Sequence, residues 1–196
     1  ATTITGGVLN NGAVSAASNG GNATAIRIGA LASVPGLRNT GTIEAGGGSV
    51  AANQVRAVVI DAGGSLAGIT NSGRITANAA GEGSAVAIAD LSGSLRTIEN
   101  SGTISAVAAK PAAGRAIAID LAANTSGATI RQSAATPTGK PSITGDIRLG
   151  SGSDLLEVSA GTITGAMQLG AGSNRLLASG EALLTGDATF GSGADT

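Results

Sequence analysis

The 196-residue sequence predicts an all-β, single-domain parallel β-helix, a β-solenoid of about seven or eight coils, and three observations carry that prediction. Close copies of Asn100-Ser101-Gly102-Thr103-Ile104 recur as Asn71-Ser72-Gly73-Arg74-Ile75 and Asn39-Thr40-Gly41-Thr42-Ile43, with a looser copy at Asn10-Asn11-Gly12-Ala13-Val14. Apolar residues make up 42% of the chain but aromatics only 1%, with Phe190 alone, so the core is built from Ile, Val, Leu and Ala in thin, regular layers. Glycine, at 33 residues, is well above its usual share of about 7% and follows no collagen period, which leaves frequent tight turns as its use.

Each long repeat begins with an apolar residue two positions before its Asn (Val8, Leu37, Ile69, Ile98), continues through a turn-forming Asn-x-Gly, and resumes with a β-branched residue. That reads as strand, turn, strand. The Asn-to-Asn spacings are 29, 32 and 29 residues, a range typical of stacked repeats. A second apolar segment follows in each repeat: Ala25 to Ile28, Val55 to Ile60, Ala85 to Ile88 and Ala116 to Ile119. Its β-branched residues alternate, as in a strand with one face buried. Small-residue loops at Gly46–Ser49, Gly81–Ser84 and Lys110–Gly114 absorb the variation in spacing. The Ala-rich pieces at 105–109 and 121–123 are too short, and too often broken by Gly, for an apolar stripe of helical period.

These long repeats occupy 1–129. Segment 130–142 begins where a fifth copy is due but lacks Asn-x-Gly and contains Pro137 and Pro141, so it is expected to be an irregular loop or edge. In 143–196, continuous with the first part, shorter repeats start at Ile143, Ile163 and Leu184, 20 and 21 residues apart. There Ile147, Leu149, Leu156 and Val158 alternate with Asp146, Arg148 and Glu157, which assigns the first set to the core and the second to solvent.

A single repeat of this kind cannot bury its apolar face, so neighbouring repeats stack with matching strands about 4.8 Å apart, giving a rod roughly 35 Å long. Matching residues then form columns: Val8, Leu37, Ile69, Ile98; Val14, Ile43, Ile75, Ile104; and Leu149, Leu169, Phe190. The structural positions are Asn10, Asn39, Asn71 and Asn100, whose amides are placed to bond one to the next as a ladder, and the turn glycines Gly12, Gly41, Gly73 and Gly102.

The repeated Asn-Ser-Gly-Thr-Ile, the Ala116-Ile117-Ala118-Ile119-Asp120 strand and the Ile-Thr-Gly-Asp-Ile-x-Leu-Gly-x-Gly-x-Asp-x-Leu coil at 143–156 resemble the passenger domains of bacterial autotransporters, over nearly the whole chain. The resemblance implies a right-handed coil, export across the outer membrane by a C-terminal β-barrel, and display at the bacterial cell surface. No barrel occurs in this sequence.

Composition excludes several chemistries. There is no His and no Cys, so imidazole bases, thiol nucleophiles and disulfides are absent. No Gly-x-Ser-x-Gly elbow occurs, Gly139-Lys140 runs into Pro141 rather than completing a phosphate loop, and the Gly-x-Gly pairs at 150–152, 170–172 and 191–193 lack the third Gly of a dinucleotide fingerprint. The 11 basic and 12 acidic residues are scattered singly, which argues against nucleic acid as a partner and against insertion of this segment in a membrane.

Three candidate sites remain. Asp146, Arg148, Asp154 and Glu157 are the residues a polysaccharide-degrading β-helix would use, although single charges alternating with core residues are what any exposed strand shows. Leu149-Gly150-Ser151-Gly152-Ser153-Asp154-Leu155-Leu156-Glu157 is similar to the nonapeptide of calcium-binding β-rolls, and Gly191 to Asp195 begins a second match; the resemblance implies calcium ligands at Asp154 and Asp195. The roll needs tandem copies, whereas these stand 20 to 21 residues apart with Asn174 in the middle copy, which favours a plain turn and no cofactor. The column Ala13, Thr42, Arg74, Thr103 is too broken by other residues for an ice-binding rank of Thr.

The reading is a non-enzymatic structural or adhesive solenoid, a stalk, spacer or adhesin segment with lateral self-association along its sides; a host carbohydrate or protein it adheres to has no signature here. The chain ends inside a repeat at Asp195-Thr196 and starts without a cap, so further coils are expected after Thr196 and before Ala1.

Overall fold

A computed structural model describes residues 2–112 and 114–196; Ala1, and Ala113 of the loop expected at 110–114, lie outside the described residues. It is an all-β parallel solenoid with no helix among the described residues. Three faces wind round one core. The first face stacks Val8–Asn10, Leu37–Asn39, Gly68–Asn71, Thr97–Asn100 and Thr129–Gln132, then the leading parts of the long strands Leu155–Thr164 and Arg175–Thr185. Across the turn, the second face stacks Ala13–Ala17, Thr42–Gly47, Arg74–Ala79, Thr103–Ala108 and Ser142–Thr144, then the trailing parts of the same long strands. The third face is a seven-stranded sheet from Ala23–Ile28 to Ala188–Thr189, so the chain makes six complete turns between its first and last strands, slightly fewer than the expected seven or eight.

Register explains the composition. On the first face Val8, Leu37, Ile69, Ile98, Ile130, Leu156 and Leu176 lie side by side. The second face aligns Val14, Ile43, Ile75, Ile104, Ile143, Ile163 and Leu184, and the third aligns Ile26, Val58, Ile88, Ile119, Ile147, Met167 and Ala188. These columns point inward and merge into a single core, most of it with no solvent exposure. Each fully buried Ile or Leu contributes about 1.5–3 kcal/mol, and because a rung is only a few residues wide, aromatic rings would overfill it.

The short repeats follow the expected alternation: Ile147, Leu149, Leu156 and Val158 are buried, while Asp146, Arg148 and Glu157 are partly exposed. Phe190, at the last rung, is 40% exposed. Within 130–142 the structure differs from a continuous loop, since Thr129–Gln132 pairs with Thr97–Asn100 in full register before the irregular stretch begins. Ile130 fills the first-face column there, which is why the strand forms without an Asn-x-Gly turn.

A fourth side, of Thr2–Thr3, Ala32–Val34 and Ser65–Leu66, exists only in the early turns. It stops at Asp90. That buried carboxylate accepts hydrogen bonds from the backbone N–H groups of Ser92, Gly93 and Leu95, and it curls the chain into a tight loop whose Ser94 Oγ takes the Leu66 N–H at 3.0 Å. Leu95 and Leu121 close the corner in place of a strand. The coil can then shrink from about thirty residues to twenty, because one side has been removed.

Candidate functional site

The interior polar groups form two ladders parallel to the rod axis. In the first, Asn10 Nδ2 donates to Asn39 Oδ1 at 2.7 Å, Asn39 to Asn71 at 2.7 Å and Asn71 to Asn100 at 2.9 Å. Each amide also donates within its own turn, to the carbonyl of Gly12, Gly41, Gly73 or Gly102. It donates as well to the next rung's main chain, at Thr42, Arg74, Thr103 or Ser142. Two N–H groups therefore face three acceptors, so every buried Asn is satisfied from its own and the following rung.

The ladder continues to a residue that the motif search passes over. Asn100 Nδ2 donates to Gln132 Oε1 at 3.0 Å, and Gln132 Nε2 ends the series on the carbonyls of Ala160 and Thr162, both at 3.1 Å. Gln132 stands 32 residues after Asn100, the spacing already seen between Asn39 and Asn71, and that spacing was the available signal. Asn71→Ala is expected to cost about 2–3 kcal/mol, since it strips an acceptor from Asn39 and a donor from Asn100 inside the core. Asn10→Ala, at the end of the ladder with one stacked partner, should cost less than half as much. Urea denaturation of both variants checks this, and equal losses would reduce the Asn to a turn former.

The glycines beside this ladder are required for space. A Cβ on Gly41, Gly73 or Gly102 would stand 2.0–2.1 Å from the carbonyl oxygen of the equivalent glycine one rung earlier, whereas a Cβ on Gly12 meets nothing within 4 Å. None of the four has a positive φ.

The second ladder lies in the short repeats. Asp154 Oδ1 accepts the Ala128 N–H at 2.6 Å, Asn174 Oδ1 accepts the Asp154 N–H at 2.9 Å, and Asp195 Oδ1 accepts the Asn174 N–H at 2.9 Å. Each side chain thus receives the N–H of its register equivalent in the preceding rung. Asn174 turns its Nδ2 onto the carbonyls of its own turn, Gly170, Ala171 and Gly172. Asp154 has an oxygen there instead, and its Oδ2 is buried with no partner.

Burial therefore pushes the Asp154 carboxyl above its usual value, with the Ala128 N–H pulling weakly the other way. A carboxyl raised in the folded state supplies stability that is fully present below its ordinary, unfolded range and is lost as pH rises through its folded value. Asp154→Asn keeps the Oδ1 contact and provides the missing donor. It is expected to stabilise the protein by about 1–2 kcal/mol at pH 7 and to lose that advantage near pH 4. Thermal melting of both proteins across pH 4–8 checks the sign.

The other sequence candidates are placed as follows. Asp146 and Arg148 lie on the third face, Glu157 on the first, ion-paired to Arg131 at 2.9 Å, and Asp154 is buried in a corner, so the four are not brought together as one cluster. Asp154 and Asp195 stand two rungs apart with Asn174 between them, each carboxylate taken by a main-chain N–H, and no three acidic side chains gather as a metal site among the described residues. Ala13, Thr42, Arg74 and Thr103 do share a column, which runs on through Ser142 and Thr162. No protein-family model, curated protein or solved structure matches the chain.

Proposed function

We propose that this chain is a non-enzymatic structural or adhesive solenoid, a stalk, spacer or adhesin segment of a surface-displayed, autotransporter-like passenger. The observation that carries the reading is the use of the buried polar side chains: Asn39, Asn71, Asn100, Gln132 and Asn174 all spend their amides on joining rung to rung. Such a rod holds two ends apart at a fixed distance. Its rungs form one after another on the preceding edge, which suits a chain that is threaded through an outer-membrane pore before it folds. Partners in this reading are the chain's own neighbouring coils, further coils of a longer polypeptide, and laterally a second rod.

Fusion of the segment to an outer-membrane β-barrel translocator tests the reading. Protease added to intact cells should remove the segment once displayed and leave the barrel behind. Retention inside the cell, protected from protease although the barrel is inserted, would count against export by this route. Release of reducing sugar from acidic polysaccharides, abolished by Arg148→Ala, would favour the polysaccharide-degrading alternative.

A further inference from the structure

The outer side of the third face carries a cleft unrelated to either ladder. It encloses about 220 Å³ and is lined by Asn22, Thr24, Arg27, Gln54, Arg56 and Asp61, over a floor that includes the buried Val59. Register builds it: Thr24 and Val86 flank Arg56 in one outward column, and Arg27 and Ala89 flank Val59 in the next. The aliphatic stem of Arg56 lies along this apolar strip with its guanidinium at the cleft.

Charge in the cleft is unbalanced. Arg27 Nε is ion-paired with Asp61 Oδ2 at 2.7 Å, which accounts for one cation and the one carboxylate. Arg56 makes no ion pair among the described residues; its Nη2 donates to Gln54 Oε1, and its Nε–H is buried without an acceptor. The lining thus holds two guanidinium groups against one carboxylate, and a buried donor on the unpaired one goes unused. A guanidinium presents five N–H groups in a planar fork that matches an oxyanion, and leaving them unmet in a partly buried place is costly.

We propose that this cleft binds an oxyanion, a carboxylate, sulfate or phosphate group, with Arg56 as the principal contact and Arg27, Thr24 and the Gln54 and Asn22 side chains around it. The anion supplies the acceptor that Arg56 lacks and neutralises the excess positive charge. Its volume is below the range of about 300–1,000 Å³ typical of whole small-molecule sites. The ligand is accordingly a small anion, or one anionic group on a larger molecule whose remainder stays in solvent.

The test is a titration of the folded chain with sodium sulfate, sodium phosphate, sodium acetate and sodium galacturonate at constant ionic strength, with chloride as control. The arginine Nε–H resonances are followed by NMR. A saturable shift at Arg56 in the millimolar range, absent in Arg56→Gln and at least tenfold weaker in Arg56→Lys, is the expected result. Arg148→Gln removes another arginine on the same face whose buried Nε also lacks a partner but which does not line the cleft, and it should leave the shift intact. Response to acetate and galacturonate alone assigns a planar carboxylate, and response to sulfate and phosphate alone assigns a tetrahedral anion; either supports the site. A change at Arg56 no greater than chloride produces, or equal affinity in Arg56→Gln with an unchanged melting temperature, overturns it.

Discussion

Gly73→Ala is expected to destabilise the fold by roughly 3 kcal/mol or more, a large fraction of the 5–15 kcal/mol typical of whole domains. The added Cβ would stand 2.0 Å from the Gly41 carbonyl oxygen and 2.7 Å from the Thr40 carbonyl carbon. Both are main-chain atoms of the rung below, fixed by the hydrogen bonds from Gly73 N to Asn39 O and from Arg74 N to Gly41 O. No side chain can swing aside, so relief requires the two rungs to separate, and the Asn39–Asn71 amide bond of 2.7 Å would stretch with them. Gly12→Ala is the matched control: the same motif position, one end of the stack, nothing within 4 Å of the new atom. Its effect should stay within about 0.5 kcal/mol. Urea midpoints for the two variants decide the matter, and similar losses would mean that turn conformation, not rung spacing, selects glycine here.

The second large effect is expected for Ile75→Asp. Ile75 has no solvent exposure and sits between Ile43 and Ile104 in the second-face column. A carboxylate there has no cation or N–H within the core to meet it, and even when protonated it leaves polar atoms unpaired, so a loss of about 4–5 kcal/mol is expected. Arg74→Asp, one residue earlier and outward, should cost about 0.5 kcal/mol or less, because the Asn39 amide bonds the main-chain carbonyl of Arg74 and not its side chain. Circular dichroism melts of both proteins would show the contrast. Comparable destabilisation would mean that the inward and outward assignments along this strand are wrong.

Much of the architecture is legible in the sequence because a solenoid repeats its environment. The residues at 8, 37, 69 and 98 face the same neighbours, so like residues recur at those positions, and the column Val8, Leu37, Ile69, Ile98 exists as hydrogen-bonded pairs. Legibility fails where a position keeps its role but changes its residue. Gln132 takes the place of an Asn because the chain after it runs into an insertion rather than an Asn-x-Gly turn, and the longer side chain bridges to the carbonyls of Ala160 and Thr162. Asp90 is similar: it ends the fourth side through hydrogen bonds within a single loop, and a feature that occurs once leaves no period to detect. The glycines illustrate a third case. Their turns are visible in one repeat, but the close approach that forbids a Cβ lies between repeats and needs the stack itself. The cleft at Arg56 arises the same way, from residues 22–61 on two successive turns.

The first ladder also has a direction. Every amide from Asn10 to Asn100 donates toward the later rung and accepts from the earlier one, and Gln132 extends the sense without reversal. The group dipoles therefore add along the axis instead of cancelling, as peptide dipoles add along a helix. Rotating any one of these amides by half a turn would set oxygen against oxygen on one side and nitrogen against nitrogen on the other, at separations of 2.7–3.0 Å. No member can flip alone. The orientation is anchored at one end, where Gln132 can only donate to the carbonyls of Ala160 and Thr162, and it is transmitted from there to Asn10. The rod thus has an electrically distinct head and tail along its hydrogen-bonded seam, and two rods lying side by side experience parallel and antiparallel alignment as inequivalent arrangements.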